Sequence, residues 1–114
     1  MEVTKAKDYL GKEVDVTIDR QLGAKHPKWG FVYESNYGFI PDTLSPDGEE
    51  LDAYLLGIDK PIGAGKGRVI ALIHRTNDDD DKLVVSIDGK DISDEKIRNK
   101  TDFQEKFFKS VIIR

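Results

Sequence analysis

The sequence predicts a mainly β fold: a small β-barrel or curled sheet of about six short strands, closed by one or two C-terminal helices. Three observations carry this expectation. Val14-Asp15-Val16-Thr17-Ile18 alternates apolar and polar residues, the period of a half-buried strand. Arg68 to Arg75 contains the run Val69-Ile70-Ala71-Leu72-Ile73, continuous and rich in β-branched residues, the pattern of a strand covered on both faces. Thr101-Asp102-Phe103-Gln104 has the spacing of a capping box, and Phe103 and Phe107 then fall one turn apart on a single helical face.

Taken in order, the other segments complete the pattern. Gly23 to Gly30 reads as a loop around His26-Pro27, and Phe31-Val32-Tyr33 and Tyr37-Gly38-Phe39-Ile40 as short aromatic strands. Pro41 to Glu50 is a loop punctuated by Pro41, Pro46 and Asp47-Gly48. Leu51 to Leu56 returns to strand, with Asp52, Tyr54 and Leu56 on one face and Leu51, Ala53 and Leu55 on the other. Pro61 to Gly67 reads as a flexible, Gly-rich turn. Arg68 to Arg75 and Lys82 to Ile87 pair as a hairpin with the turn Thr76 to Asp81 at its tip. Residues 102–109 form a helix capped by Thr101, Asp94 to Asn99 offers a second short helix, and Ser110 to Arg114 is too β-branched to extend it. No repeat or linker interrupts the chain, so residues 1–114 are expected to make a single domain.

Composition narrows the function classes. Apolar residues make up 38% of the chain and charged residues 35%, enough for a small core beneath a highly charged surface. The five-residue apolar run is far below the ~18 that span a bilayer. The opening Met1-Glu2-Val3-Thr4-Lys5 is polar, unlike a secretory signal, and a cytoplasmic setting is expected. Without cysteine there is no disulfide or thiolate chemistry, and His26 and His74 are too few and too far apart for a zinc site. The net charge is −4, but eight acids lie in two patches, Asp47 to Asp52 and Asp78 to Asp81, leaving 14 acids against 18 bases elsewhere. A mildly basic body with two dense acidic patches argues against a nucleic-acid face and for a divalent-cation site in an anion-binding cleft. The bland alternative is a pair of solvated turns.

Two constellations carry the chemical argument. In Asp47-Gly48-Glu49-Glu50-Leu51-Asp52, Gly48 allows a tight turn, and Asp52 is a carboxylate inside an apolar strand, where it needs a cation or donors unless it faces water at an edge. Hard oxygen ligands of this kind suit Mg²⁺ or Mn²⁺, while the EF-hand spacing is not met. In Asn77-Asp78-Asp79-Asp80-Asp81-Lys82, adjacent carboxylates repel unless a cation intervenes. One or two of these acids are expected to bind metal, the rest to be solvated, and Lys82 to reach a metal-bound phosphate. Arg20, Lys25, Lys28, Tyr37, Lys82 and Lys109 are donors able to take phosphate oxygens, although any single lysine of this kind is more ordinarily a surface residue. Gly63-Ala64-Gly65-Lys66-Gly67 lacks the P-loop spacing and its Ser or Thr.

Asn36-Tyr37-Gly38-Phe39-Ile40-Pro41, Thr43-Leu44-Ser45 and the Asp47 to Asp52 cluster together resemble the family I soluble inorganic pyrophosphatases, whose signature is an aromatic NYGYI strand, a TLS-type loop and a D-G-D-x-x-D acid cluster. Asp80 to Val85 is similar to the family's later metal-and-lysine segment. The resemblance runs over residues 19–109, with its specific parts at 36–52 and 80–85. It implies an OB-like barrel with helices, and Mg²⁺-dependent hydrolysis of pyrophosphate to two phosphates by metal-activated water. Carried over by position, Asp47, Asp52 and Asp80 match metal ligands, and Asp19 matches a first-strand carboxylate of the metal site. Glu49 stands where the family has an Asp that takes the proton of the water; Tyr37 borders the metals; Lys28, Lys82 and Lys109 match phosphate-binding lysines.

The chain also departs from the family. Glu49 is longer than Asp by a methylene, about 1 Å of displacement, which can cost ~100-fold in rate. Arg75 stands where an acidic ligand lies five residues before the position of Asp80, and Phe107 or Phe108 replaces a helix Tyr. The short segment between Lys28 and Tyr37 lacks a hairpin bearing another phosphate Arg. Two metals rather than several are therefore expected. The alternatives are a hydrolase of another phosphoanhydride or phosphate ester, and a degenerate paralogue that binds metal and phosphate without turnover. The expected partner is a small-molecule substrate, not nucleic acid or membrane; a homo-oligomer is left open.

Overall fold

A computed structural model describes residues 2–77 and 80–114. Alternation and β-branching build six strands: β1 Glu13–Arg20, β2 Asn36–Ile40, β3 Leu51–Leu56, β4 Ala64–Arg75, β5 Asp81–Ser86 and β6 Ser110–Ile113. A 3-10 turn at Ala6–Tyr9 precedes β1, and one helix, α1 Asp94–Glu105, precedes β6. Neighbours run β1-β2-β3-β5-β4, and β1 also pairs with β4, so five strands form a closed ring. The first half of the long β4 closes that ring against β1, and its second half carries β6. Pairing is antiparallel except for β3 and β5, which run parallel with Asp52 level with Lys82. No helix among the described residues is long and apolar enough to cross a membrane.

The period of two divides the strands between two cores. Val14, Val16, Ile18, Leu51, Ala53, Leu55, Leu72, Leu83 and Val85 fill the ring. Tyr54, Leu56, Ala71, Ile73 and Val84 face outward and are covered by Ile97 and Phe103 of α1 together with Tyr33. A register shift between Val69 and Ala71 puts both Ile70 and Ala71 on this outer core, as a β-bulge does.

The mainly β expectation holds, as does the hairpin of β4 and β5. Several local expectations need correction. The two short helices are one, capped by Ser93, whose hydroxyl accepts from the Lys96 N–H. Thr101 is no cap: it is buried in the helix, and its hydroxyl donates to the Ile97 carbonyl at 2.8 Å. Its box-like spacing with Gln104 is accidental, and the helix ends at Glu105, so residues 106–109 lie beyond it. Gly65 and Gly67 are not in a flexible turn but in β4, paired with Val16 and Val14. A Cβ on Gly67 would stand 2.3 Å from the Ser86 carbonyl oxygen, so glycine is what lets β4 approach its neighbour. Finally, Phe31 to Tyr33 is not a strand; Val32 makes one isolated bridge to Lys25.

Candidate active site

Lys82 is the centre of the site. It is the second residue of β5, on the outer face; its side chain is 4% exposed, and its ammonium donates to the Asp52 carboxylate and lies 2.7 Å from Asp80 Oδ2. A buried ammonium requires such partners. The parallel register of β3 and β5 supplies Asp52, and the hairpin tip supplies Asp80. Asp81 points the other way, to His74 Nδ1 at 2.6 Å. Strand alternation thus sorts these two tip acids, one into the site and one away from it. Asp78 and Asp79 lie outside the described residues.

Tyr37 borders this cluster, with the Lys82 ammonium 6.0 Å from its ring centre and the Tyr54 ring 4.8 Å away. Burial, reinforced by the Asp52 charge, pushes the Tyr37 phenol well above its ordinary range, so it stays protonated as a donor. Asn36, next in the chain, is structural, because its side chain accepts from the Leu22 N–H at 3.0 Å and donates to the Lys60 carbonyl at 3.0 Å. Asp19 is the extra residue of a bulge in β1, between the pairs Ile18–Gly38 and Arg20–Tyr37. Partial desolvation raises its carboxyl, although the residue keeps much of its surface in water; the Arg20 charge opposes this, and the Asp52 and Glu50 charges add to it. Asp19, Glu50 and Asp52 therefore share one electrostatic neighbourhood.

The loop 41–50 is held by its small polar residues. Thr43 Oγ1 donates to the Ile40 carbonyl at 2.6 Å and accepts from the Leu51 N–H at 2.9 Å, pinning the two strand ends together. Ser45 donates to Asp47, which also accepts from the Glu49 N–H at 2.9 Å. These two bonds hold the Asp47 carboxyl below its ordinary range, and the Lys82 charge helps. Gly48 turns at φ 91°, the left-handed conformation that glycine tolerates. Asp47 and Glu49 are both exposed on this loop.

Among the residues chosen from the sequence, Asp52, Asp80 and Lys82 meet directly, Tyr37 borders them, and Asp19 and Asp47 are within electrostatic reach. Lys28 is exposed, with its ammonium 5.2 Å from the Trp29 ring centre. Lys109 is exposed beside the hairpin tip, where its carbonyl accepts from the Thr76 N–H at 2.8 Å. Lys25 is exposed, and Arg20 lies half-buried beside Asp19.

Arg75 is buried with its side chain turned into the site. Its Nε and Nη2 donate to both Glu105 oxygens at 2.9 and 2.8 Å, Nη1 lies 3.6 Å from Asp80 Oδ2, and the guanidinium stacks 3.6 Å from the Phe108 ring centre. Burial opposes its charge, but the Glu105 bonds and charge outweigh that and raise its pKa. Glu105 also accepts from the Tyr54 hydroxyl at 2.5 Å, and Gln104 donates to that hydroxyl at 2.7 Å. Sequence reasoning missed Glu105 and Tyr54. The signal was there: Glu105 follows Ile97 and Thr101 at helical spacing of four, an acid on the buried stripe.

Asp52 and Asp80 are hard oxygen donors from distant stretches that already share one cation, chemistry that fits a divalent ion of the Mg²⁺ type. Among the described residues, no three acids or histidines close around one point.

A 59-residue stretch is 44% identical to an inorganic pyrophosphatase of Neisseria meningitidis, covering 47% of this chain and 33% of that protein. A longer match, 34% identical over 98 residues, is to an inorganic pyrophosphatase of Saccharolobus solfataricus, covering 83% of this chain and 49% of the relative. The chain thus spans a third to a half of the length of these curated relatives. The fold is similar to solved inorganic pyrophosphatases of Helicobacter pylori (TM-score 0.69, 18% identity, 100% of this chain and 89% of that one) and Ehrlichia chaffeensis (TM-score 0.68, 19% identity, 89% and 84%). The family model described as inorganic pyrophosphatase matches residues 2–112, and on that match the chain belongs to the inorganic pyrophosphatase family.

Proposed function

We propose that this chain hydrolyses inorganic pyrophosphate to two phosphates with divalent cations, Mg²⁺ in the first place and Mn²⁺ as its substitute. The observation that carries this reading is the meeting of Asp52 and Asp80 at the Lys82 ammonium, on a chain of this family. Asp52 and Asp80, with Asp47 and Asp19, are the residues that would hold the ions. Bound there, the ions supply charge neutralisation for the phosphoanhydride and acidify the attacking water.

The chain's own residues do the rest. Glu49 accepts the proton of the water. Lys82 offers its ammonium to a phosphoryl oxygen, and Tyr37, protonated throughout the neutral range, donates to a second. Lys28 and Lys109, both exposed, are the residues assigned to the outer phosphate oxygens. These contacts gain strength as charge spreads over the phosphoryl oxygens in the transition state.

One observation favours a second reading, a protein that binds metal and phosphate without turnover: Glu49, the residue assigned to the water's proton, lies exposed on its loop. The deciding measurement is phosphate release from pyrophosphate in Mg²⁺, with Glu49→Ala and Asp52→Asn beside the unaltered chain. Hydrolysis is expected, falling by about 100-fold or more in each variant. Mg²⁺-linked thermal stabilisation without release supports the binding protein. Release from nucleotides but not pyrophosphate moves the substrate to another phosphoanhydride. Full activity in Asp52→Asn removes the site.

A further inference from the structure

We propose that Arg75, clamped by Glu105, is a positioning residue that holds the Asp80 carboxylate in place for ion binding. The inference rests on the pyrophosphatase reading and deepens it. Asp80 lies at a hairpin tip, where a carboxylate ordinarily samples several rotamers and must be ordered each time an ion binds. Here the tip is tied twice to one residue. The Arg75 N–H donates to the Asp80 carbonyl at 2.8 Å, and Arg75 Nη1 lies 3.6 Å from Asp80 Oδ2. The guanidinium cannot follow a moving carboxylate, because its fork is fixed on Glu105 and its plane on Phe108. Glu105 is itself fixed by Tyr54 and is only 2% exposed. A rigid path thus runs from α1 through Glu105 and Arg75 to Asp80, and through Lys82 to Asp52.

The effect is geometric more than coulombic. Arg75 and Glu105 carry opposite charges in a bidentate contact, so the pair adds little net field at the acids. What it supplies is position: a fixed guanidinium in ion-pair range of the Asp80 carboxylate, beside a backbone hydrogen bond to the same residue. A rival account makes the pair a staple that only fastens α1 to the ring, and the two accounts separate on ion affinity.

Removing Arg75 alone leaves Glu105 as a buried, unpaired charge and is expected to destabilise the chain severely. The test therefore uses Arg75→Met combined with Glu105→Gln, which removes both charges and leaves an amide oxygen to accept from Tyr54. Arg75→Lys serves as a second variant that keeps the charge and loses the fork. Mg²⁺ and Mn²⁺ dissociation constants are measured by calorimetry without substrate, well below each melting temperature, beside denaturant unfolding. About tenfold weaker ion binding is expected in the double variant and a smaller loss in Arg75→Lys. Lower stability with unchanged ion affinity overturns the inference and leaves the staple. Should the double variant fail to fold, Arg75→Lys decides alone, and an unchanged constant there overturns it. A wild-type chain that binds no ion and releases no phosphate overturns the pyrophosphatase reading itself, and this inference with it.

Discussion

Single residues on this ring do either structural or electrostatic work, and Asp19 shows how the two separate. Its folded-state carboxyl is raised, first by partial desolvation and then by the Asp52 and Glu50 charges. A raised group favours the folded state below its unfolded pKa, and that contribution is lost as pH rises through the folded value. At neutral pH the ionised Asp19 therefore works against folding when no divalent ion is present. Asp19→Asn is expected to stabilise the ion-free chain at pH 7 by about 0.5 kcal/mol, a figure reduced for solvent screening, and to make no difference near pH 3. Urea unfolding at the two pH values checks this; an equal effect at both contradicts the electrostatic origin. Tyr54→Phe isolates the opposite case. It removes one of the two donors to Glu105 Oε2, which keeps its bond from Arg75, and leaves the buried Gln104 amide N–H without its acceptor, with an expected loss of about 1–3 kcal/mol by the same measurement. Asp52 was legible in the sequence because an acid interrupts an apolar strand. Tyr54 was not, because a tyrosine in a strand reads equally as packing.

Elements were legible where the pattern was local. Strand β3 falls at Leu51–Leu56, where alternation and the flanking loop both point. The N-terminal half of β4 was misread because glycine is ordinarily a turn residue, and only the long-range pairing with β1 turns Ala64 to Gly67 into strand. Gly38 acts in the same way on β2, where a Cβ would stand 1.8 Å from the Thr17 carbonyl oxygen. As a close-approach glycine, Gly67 is expected to cost about 1–3 kcal/mol when replaced by Ala, through backbone displacement measurable by denaturant unfolding. A turn glycine without such a neighbour, Gly63, has nothing within 4 Å of its Cβ position, and Gly63→Ala is expected to cost far less. Equal costs at the two sites contradict the account. The helix failed differently: Thr101 and Gln104 satisfy a spacing rule, but the rule is local and cannot see that Ser93 already caps a longer helix.

At the scale of the molecule, closure of the ring is what joins the chemistry. Asp52 and Asp80 are far apart in sequence, and they meet because β3 and β5 run parallel with the loop 41–50 and the hairpin tip at the same end. That register was not legible in the sequence, since parallel pairing leaves no local mark. The outer core beneath α1 then sets how firmly the helix holds Glu105 against Arg75. Phe103 is its keystone, edge-on to Tyr33 at 5.4 Å and to Tyr54 at 6.0 Å. Phe103→Leu keeps an apolar side chain and loses those ring contacts, so a stability loss of about 1–2 kcal/mol is expected. Because Tyr54 and Glu105 share that packing, the same substitution is expected to weaken Mg²⁺ binding several-fold in the folded chain, although Phe103 acts only through its neighbours. Leu55→Val, inside the ring on the far side of the same strand, is expected to lower stability by a comparable amount and leave ion affinity unchanged. Calorimetric Mg²⁺ titration of the two variants separates the cores: equal ion affinities show that the outer core carries no more of the site than the inner one.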